Sequence, residues 1–366
     1  MQHNENSRVK IPAIVHLERL GYRFVNQNDH EINTSNNIFL DILKESLIKI
    51  NPGVGAEKIN DKINKLEQSL ENDDLGRQFL NLITKKSEVT VIDFNNLNNN
   101  NFNVVTELKY SKTEGEEFYP DITVLINGLP LSFIEVKKPN NKDGMLAEKN
   151  RMDSRYLSKH NKGFWNVTQL MIFSNNMEYL KTDQNQKIIG SYYSTPNYKN
   201  TVFNYFREEE DSIYNSWEEV ADETIDVVLK ATNLQSIKGT NEFITNNDPF
   251  TPVNKFLTSL LSRERFLFFI KYGLAVLEYM IEEKTVIEKH IIRYPQYFAI
   301  KSLEQALDSK IKKGIIWHTQ GSGKTALSFH SVKFLNDYFA KNNVVSKFYF
   351  IVDRLDLLDQ AKIEFT

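Results

Sequence analysis

Three side chains in the middle of the chain have the right types and spacing for chemistry on a phosphate ester. In the stretch YPDITVLINGLPLSFIEVKKP, Asp121 stands at the mouth of one apolar run, and Glu135 and Lys137 lie two residues apart near the end of the next. Residues two apart on a strand point the same way, so Glu135 and Lys137 share a face while Val136 turns into the core. Two carboxylates on one face can hold Mg2+, a hard ion that prefers oxygen and keeps waters for a phosphate to displace. An ammonium beside them can orient the attacking water and offset charge in the transition state. An isolated Glu-x-Lys would be an ordinary surface ion pair.

Asp121 reaches that face only if the hairpin is irregular. A plain two-residue Asn127-Gly128 loop pairs Ile126 with Leu129 and Asp121 with Ile134, turning Asp121 away. An odd-length loop such as Ile126-Asn127-Gly128, or one bulge, restores it. Pro130 has no ladder donor and suits an irregular start to the second strand. With the proline before Asp121, PD…EVK resembles the PD-(D/E)xK nuclease signature, whose fold is a mixed-sheet α/β domain. Lys137 to Lys162 follow with eight Lys/Arg against three acids, a local excess of positive charge. A solvated helix face would give the same count, and Lys138, Arg151, Arg155 and Tyr156 are its candidate DNA contacts.

The second constellation is IIWHTQGSGKTALSF, in which Thr319, Gly321, Ser322, Gly323, Lys324 and Thr325 sit between an apolar run and a helical pattern. Glycines let backbone N–H groups close on phosphate oxygens, and the helix N-terminus adds partial positive charge. Lys324 would then reach the β- and γ-phosphates of ATP and Thr325 would ligate its Mg2+. The strict phosphate-loop pattern wants glycine where His318 stands. Upstream, Arg293, Tyr294 and Gln296 in HIIRYPQYFAI resemble the stretch in which helicase-like motors read adenine, with Gln296 the candidate for the base edge; an exposed helix start after Pro295 would give the same residues. Downstream, Asp353 and Arg354 in YFIVDRLDLLDQ resemble motif Ia of such motors.

These elements need positioning. The first hundred residues read as helices (IPAIVHLERL, NIFLDILKESLIKI, INDKINKLEQSL), with FNNLNNNNFN as a polar loop. Strands follow in VVTELKY, DITVLI, LSFIEVK, TQLMIFS and KIIGSYY, with a helix over Met145 to Leu157 before the fourth, which implies a mixed α/β domain. The polar, Gly- and Pro-broken stretch from Ala231 to Pro252 marks a boundary, dividing the chain into 1–245 and 250–366. Beyond it the pattern predicts helices over Val253–Tyr272 and Pro295–Lys310, then a βαβ unit: strand GIIWHT, helix KTALSFHSVKFLNDYFA, strand KFYFIVD.

Composition narrows the class. The 366 residues carry 45 Lys+Arg, 48 Asp+Glu and no cysteine, for a net charge of -3, so disulfides and thiolate zinc sites are excluded and any DNA surface must be local. MQHNENSRVK lacks the apolar stretch of a secretion signal, and the longest apolar run, FLFFI at Phe266 to Ile270, is too short to cross a bilayer. The expectation is a cytoplasmic protein without membrane association.

The PD…IEVKKP core, RYPQY, WHTQGSGKT and VDRLDLLDQ together resemble the R (motor and cleavage) subunit of type I restriction endonucleases, over nearly all of the chain. The family commonly has histidine at the position of His318. The resemblance implies a PD-(D/E)xK nuclease domain followed by a RecA-like superfamily 2 lobe. It also implies ATP-driven translocation of double-stranded DNA, Mg2+-dependent cleavage, and partnership with methyltransferase and specificity subunits. By the same resemblance Asp121 and Glu135 are metal-binding acids and Lys137 the catalytic lysine. A family Q-x-x-x-Y element is matched by Tyr156, with Met152 in the glutamine position. The acidic motif and arginine fingers of such motors are not found before Thr366, so the reading is an N-terminal fragment with an incomplete ATPase. Alternatives are a nuclease-helicase fusion of DNA repair, or a nucleotide-binding protein with a non-functional nuclease hairpin.

Overall fold

The computed structural model describes residues 5–110, 117–139, 144–156, 161–180, 188–197, 200–281 and 284–351. Asp353 and Arg354 therefore lie outside the described residues. The N-terminal half runs α1 (Ile11–Arg19), β1 (Arg23–Phe24), β2 (Ile32–Asn33), β3 (Ile38–Phe39), α2 (Leu40–Ile50), α3 (Ala56–Ser69), α4 (Arg77–Thr84) and β4 (Phe102–Thr106). The centre holds β5 (Ile122–Ile126), β6 (Leu129–Val136), α5 (Gly144–Tyr156), α6 (Lys162–Val167), β7 (Leu170–Ser174) and β8 (Ser191–Ser194). The remainder is α7 (Asp222–Ala231), α8 (Asn241–Asn246), α9 (Pro252–Leu261), α10 (Arg263–Tyr272), β9 (Leu274–Ile281), β10 (Lys284–Ile291), α11 (Tyr294–Asp308) and α12 (Lys324–Ala340).

Six strands form one mixed sheet in the order β1-β4-β5-β6-β7-β8. β4, β5 and β6 are antiparallel neighbours; β6 and β7 pair in parallel, joined through α5 and α6, because a parallel step needs a crossover. Every residue of β5, β6, β7 and β8 is buried, so alternation is read in the two cores rather than in exposure. Past Leu131, the even-numbered Ile134 and Val136 of β6 enter the main core with α1, α2, α9 and α10. Odd-numbered Phe133 enters an aromatic core with Met145, Met152, Tyr156, Phe164 and Trp165 from α5 and α6.

The polar loop around Asn96 is a hydrogen-bonded clasp. Asn127 Nδ2 donates to Val91 O at 2.9 Å and to Asn100 Oδ1 at 2.9 Å, and Asp93 accepts from the Asn95 and Asn96 backbones. This clasp holds the β5–β6 turn to the chain preceding β4.

Across the composition break at Ala231–Pro252 the packing continues. His16 Nε2 of α1 meets Thr258 Oγ1 of α9 at 2.8 Å, Tyr22 OH donates to Leu261 O at 2.8 Å, and the main core extends from Val9 to Phe334. The β9–β10 hairpin is new relative to the sequence reading. The two strands expected at Gly314–Thr319 and in Lys347–Asp353 need correction over their described part. Neither 314–319 nor 347–351 forms a strand, and Trp317 is 90% exposed and Ile351 94% exposed. Parallel strands are stable when both faces are covered, and among the described residues these segments have no such cover.

Candidate functional site

The β5–β6 turn explains how Asp121 meets Glu135. Asn127 (φ 53°) and Gly128 (φ 79°) form a two-residue left-handed turn, with Ile126 opposite Leu129 and Leu125 opposite Pro130. A register shift then places Val124 opposite Ser132, so Leu131 is the extra residue of a bulge and Ile122 falls opposite Ile134. The three-residue loop is not what occurs; the single bulge is. Asp121 continues that register toward Glu135, and its Oδ2 accepts from Val136 N at 2.9 Å.

Lys137 is the centre of the cluster. Its Nζ lies 3.6 Å from Glu135 Oε2, 3.9 Å from Asp121 Oδ2 and 3.3 Å from Glu148 Oε2. Glu148 was not singled out in the sequence. It belongs to the stripe Met145, Glu148, Met152, Tyr156 that α5 buries against the sheet, and its side chain is 1% exposed. The helical spacing of a carboxylate within an otherwise apolar face was the available signal. Arg151 Nη1 holds Glu148 Oε2 at 2.9 Å, while Glu148 Oε1 is buried without a hydrogen-bond partner.

Burial, reinforced by the charges of Asp121 and Glu148, pushes the Glu135 carboxyl well above its usual range. Burial would lower Lys137, but Glu135, Glu148, Asp121 and Glu5 outweigh it and raise the ammonium. Glu5, another acid the sequence reading did not select, is itself raised by burial. The donor set suits a hard divalent cation in its chemistry: carboxylate oxygens only, with one buried oxygen of Glu148 unsatisfied. The acids are gathered on Lys137, and no three of them among the described residues stand in a ligand cage.

Of the candidate DNA contacts, Lys138 is exposed, and Arg151 is exposed but engaged with Glu148. Arg155 lies over the Phe118 ring at 4.5 Å. Tyr156 requires correction as a surface contact. It is buried, with its ring 4.2 Å from that of Trp165 and its hydroxyl 2.9 Å from Met171 Sδ. Met152 is buried in the same aromatic core, which is what an apolar residue at that helical position achieves.

The glycine loop sits apart from this cluster. Gly321 (φ 76°) and Gly323 (φ 80°) take left-handed conformations, and Gly323 caps α12, so that Lys324 and Thr325 open the helix. Ser322 Oγ donates to Thr319 O at 2.8 Å, and Lys324 Nζ turns back to His318 O at 3.3 Å and Thr319 O at 3.1 Å. Arg293 and Gln296 reach this loop from the start of α11. Gln296 Oε1 accepts from Arg293 N at 2.9 Å and its Nε2 donates to Gly323 O at 3.0 Å. A Cβ on Gly323 would lie 2.5 Å from Gln296 Nε2 and 2.6 Å from Arg293 Nη2. Gln296 is thus bonded to the loop itself, an arrangement that spacing alone did not reveal.

The fold and site define a mixed-sheet α/β protein with an acid-lysine cluster at the sheet and a glycine loop capping a later helix. Residues 2–187 match the family described as type I restriction enzyme R protein N terminus, and the chain belongs to that family. Residues 289–366 match the type III restriction enzyme res subunit family, a helicase-like region. The chain is similar to a Methanocaldococcus jannaschii protein provisionally named type I restriction enzyme MjaIXP endonuclease subunit: 26% identical over 98% of this chain and 34% of that protein. It is similar also to the Staphylococcus saprophyticus type I restriction enzyme SsaAORF53P endonuclease subunit, 26% identical over 73% of this chain and 22% of that protein. The chain thus spans about a third or less of the length of these relatives. No helix among the described residues is long and apolar enough to cross a membrane.

Proposed function

We propose that the chain carries the nuclease unit and the beginning of the ATPase lobe of a type I restriction R subunit. In this reading the nuclease is of the PD-(D/E)xK kind and occupies residues 1–245, with α9 and α10 completing its core. A RecA-like lobe begins within 250–366. The activity is Mg2+-dependent cleavage of double-stranded DNA coupled to ATP-driven translocation, in company with methyltransferase and specificity subunits. The observation that carries the reading is the meeting of Asp121, Glu135 and Glu148 around one lysine at the sheet.

Asp121 and Glu135 would hold Mg2+, with the unsatisfied oxygen of Glu148 beside them; the ion, when bound, supplies Lewis-acid polarisation of the phosphate. The residues themselves set the rest. Surrounding carboxylates keep Lys137 protonated, which suits it to neutralise charge on phosphate oxygens rather than to accept a proton from water. Arg151 keeps Glu148 aimed at the cluster. At the loop, Gly321 and Gly323 leave room for backbone N–H groups to close on phosphates, Thr319, Ser322, Lys324 and Thr325 line the same turn, and Thr325 is the proposed Mg-ATP ligand. Arg293 and Gln296 fix the position of Gly323 and so act on nucleotide through the loop.

The test uses the full-length subunit in its complex, with plasmid DNA, ATP and Mg2+. Lys137→Ala is expected to keep ATP turnover and lose at least ~100-fold in cleavage, in the range for removal of a preorganised charge-stabilising group. Lys324→Ala is expected to lose both. Undiminished cleavage by Lys137→Ala would discard the nuclease assignment.

A further inference from the structure

A groove of about 680 Å³ runs between the end of α4, the chain around Asp93 and α12. Lys85, Lys86, Lys271, Lys333 and Lys341 line it, against two acids, Asp93 and Asp337. Both acids are already committed. Asp93 accepts from the Asn95 and Asn96 backbones and from Asn99 Nδ2 at 2.7 Å. Asp337 is held by Lys271 Nζ at 2.5 Å and by Tyr272 OH at 3.0 Å. The other four lysines have no hydrogen-bond or ion-pair partner through their side chains among the described residues, and Lys85, Lys86 and Lys341 are exposed. Lys333 is half-buried, and burial, with Lys271 and Lys85 nearby, lowers its ammonium to about 8 despite Asp337. Half-burying an ammonium among like charges is costly unless an anion joins it.

We propose that this groove binds the phosphodiester backbone of DNA, as a contact surface separate from both the acid-lysine cluster and the glycine loop. A chain with net charge -3 has no general attraction for DNA, so a local row of unneutralised lysines is what such contact requires. A row of separate ammonium groups suits successive phosphates more than one compact anion, and point charges on flexible stems position a backbone without reading bases. The inference rests on DNA being the substrate, but not on cleavage.

The experiment measures duplex binding by the 366-residue chain in EDTA, by fluorescence anisotropy over a salt series, so cleavage can fail in the earlier test while this one stands. The exposed-site variant Lys85→Ala/Lys86→Ala/Lys341→Ala is expected to lose about tenfold or more in affinity. The slope of log K against log salt should flatten by roughly 1 to 3, at about 0.9 per phosphate contact released. The arginine version of the same triple should restore both, and Lys333→Gln alone should flatten the slope by about 1. Wild-type affinity and slope in the alanine triple overturn the proposal. So does loss of ATP or pyrophosphate binding with duplex binding intact, which marks a site for free phosphates.

Discussion

Glu135 concentrates the conflict on which the candidate site is built. Its carboxyl is buried and faces Asp121 and Glu148, whose charges together with burial outweigh that of Lys137, so the folded protein holds its proton more tightly than the unfolded chain does. A carboxyl raised in the native state makes stability fall as pH rises, from the ordinary glutamate range up through the raised value, because the native state binds more protons across that window. Glu135→Gln removes the titration. The variant should therefore melt at a higher temperature than the wild type at pH 8 without divalent cations, and the difference should close toward pH 4. Mg2+ should raise the wild-type melting temperature and leave the variant nearly unmoved. Thermal melts at both pH values, with and without Mg2+, decide this; a wild type more stable than the variant at pH 8 in EDTA would show that the cluster is not under electrostatic strain. Such strain is a common accompaniment of a site built for a ligand.

The β5–β6 hairpin converts sequence into site geometry, and it depends on Gly128. At φ 79° a side chain is strained, and a Cβ there would stand 2.5 Å from Phe39 O and 2.8 Å from Leu43 N. Those contacts are backbone atoms of β3 and α2, which cannot swing aside; Phe39 N also donates to Gly128 O at 2.9 Å. Gly128→Ala should destabilise the protein by about 2 kcal/mol or more, measured by urea unfolding, and should depress cleavage further by disturbing the register that brings Asp121 to Glu135. A cost below about 0.5 kcal/mol would mean that the turn relaxes freely. The need for a bulge was legible because period-two alternation left Asp121 on the wrong face unless one residue was added. Its position at Leu131 was not, since the choice between loop and bulge is made by the Asn127 clasp and by the packing of Gly128 on α2. Glu148 was illegible for a related reason. A carboxylate on an apolar helical stripe reads as a defect until the lysine it faces is known. Strand β6, helix α5 and helix α12 stood out by periodicity, whereas the β9–β10 hairpin, interrupted by charges such as Glu288 and Lys289, did not.

Across the whole molecule, the sheet and the glycine loop are joined through one seam. Tyr193 OH of β8 donates to Ile292 O at 2.9 Å, immediately before Arg293, whose neighbour Gln296 bonds Gly323. Beside it Lys289 of β10 is 2% exposed, with its ammonium donating to Thr168 O at 3.3 Å, just ahead of β7. Burial pulls that ammonium down to about 7, with Asp74 only partly opposing. The unfolded chain, titrating near 10.5, therefore binds more protons between about pH 7 and 10.5, and stability must rise with pH across that interval. Below it the full cost of a buried charge is present. Lys289→Met keeps the stem's volume and removes the charge, so it should be more stable than the wild type at pH 6. The gap should shrink steadily toward pH 10, where the neutral amine keeps its bond to Thr168 and methionine has none. Denaturant unfolding at pH 6, 8 and 10 tests this; parallel stability curves for the two proteins would mean that Lys289 reaches solvent and that the seam is looser than its buried contacts indicate. A pH-dependent gap would instead place a charge-sensitive contact at the junction through which the glycine loop rests on the sheet carrying Glu135 and Lys137.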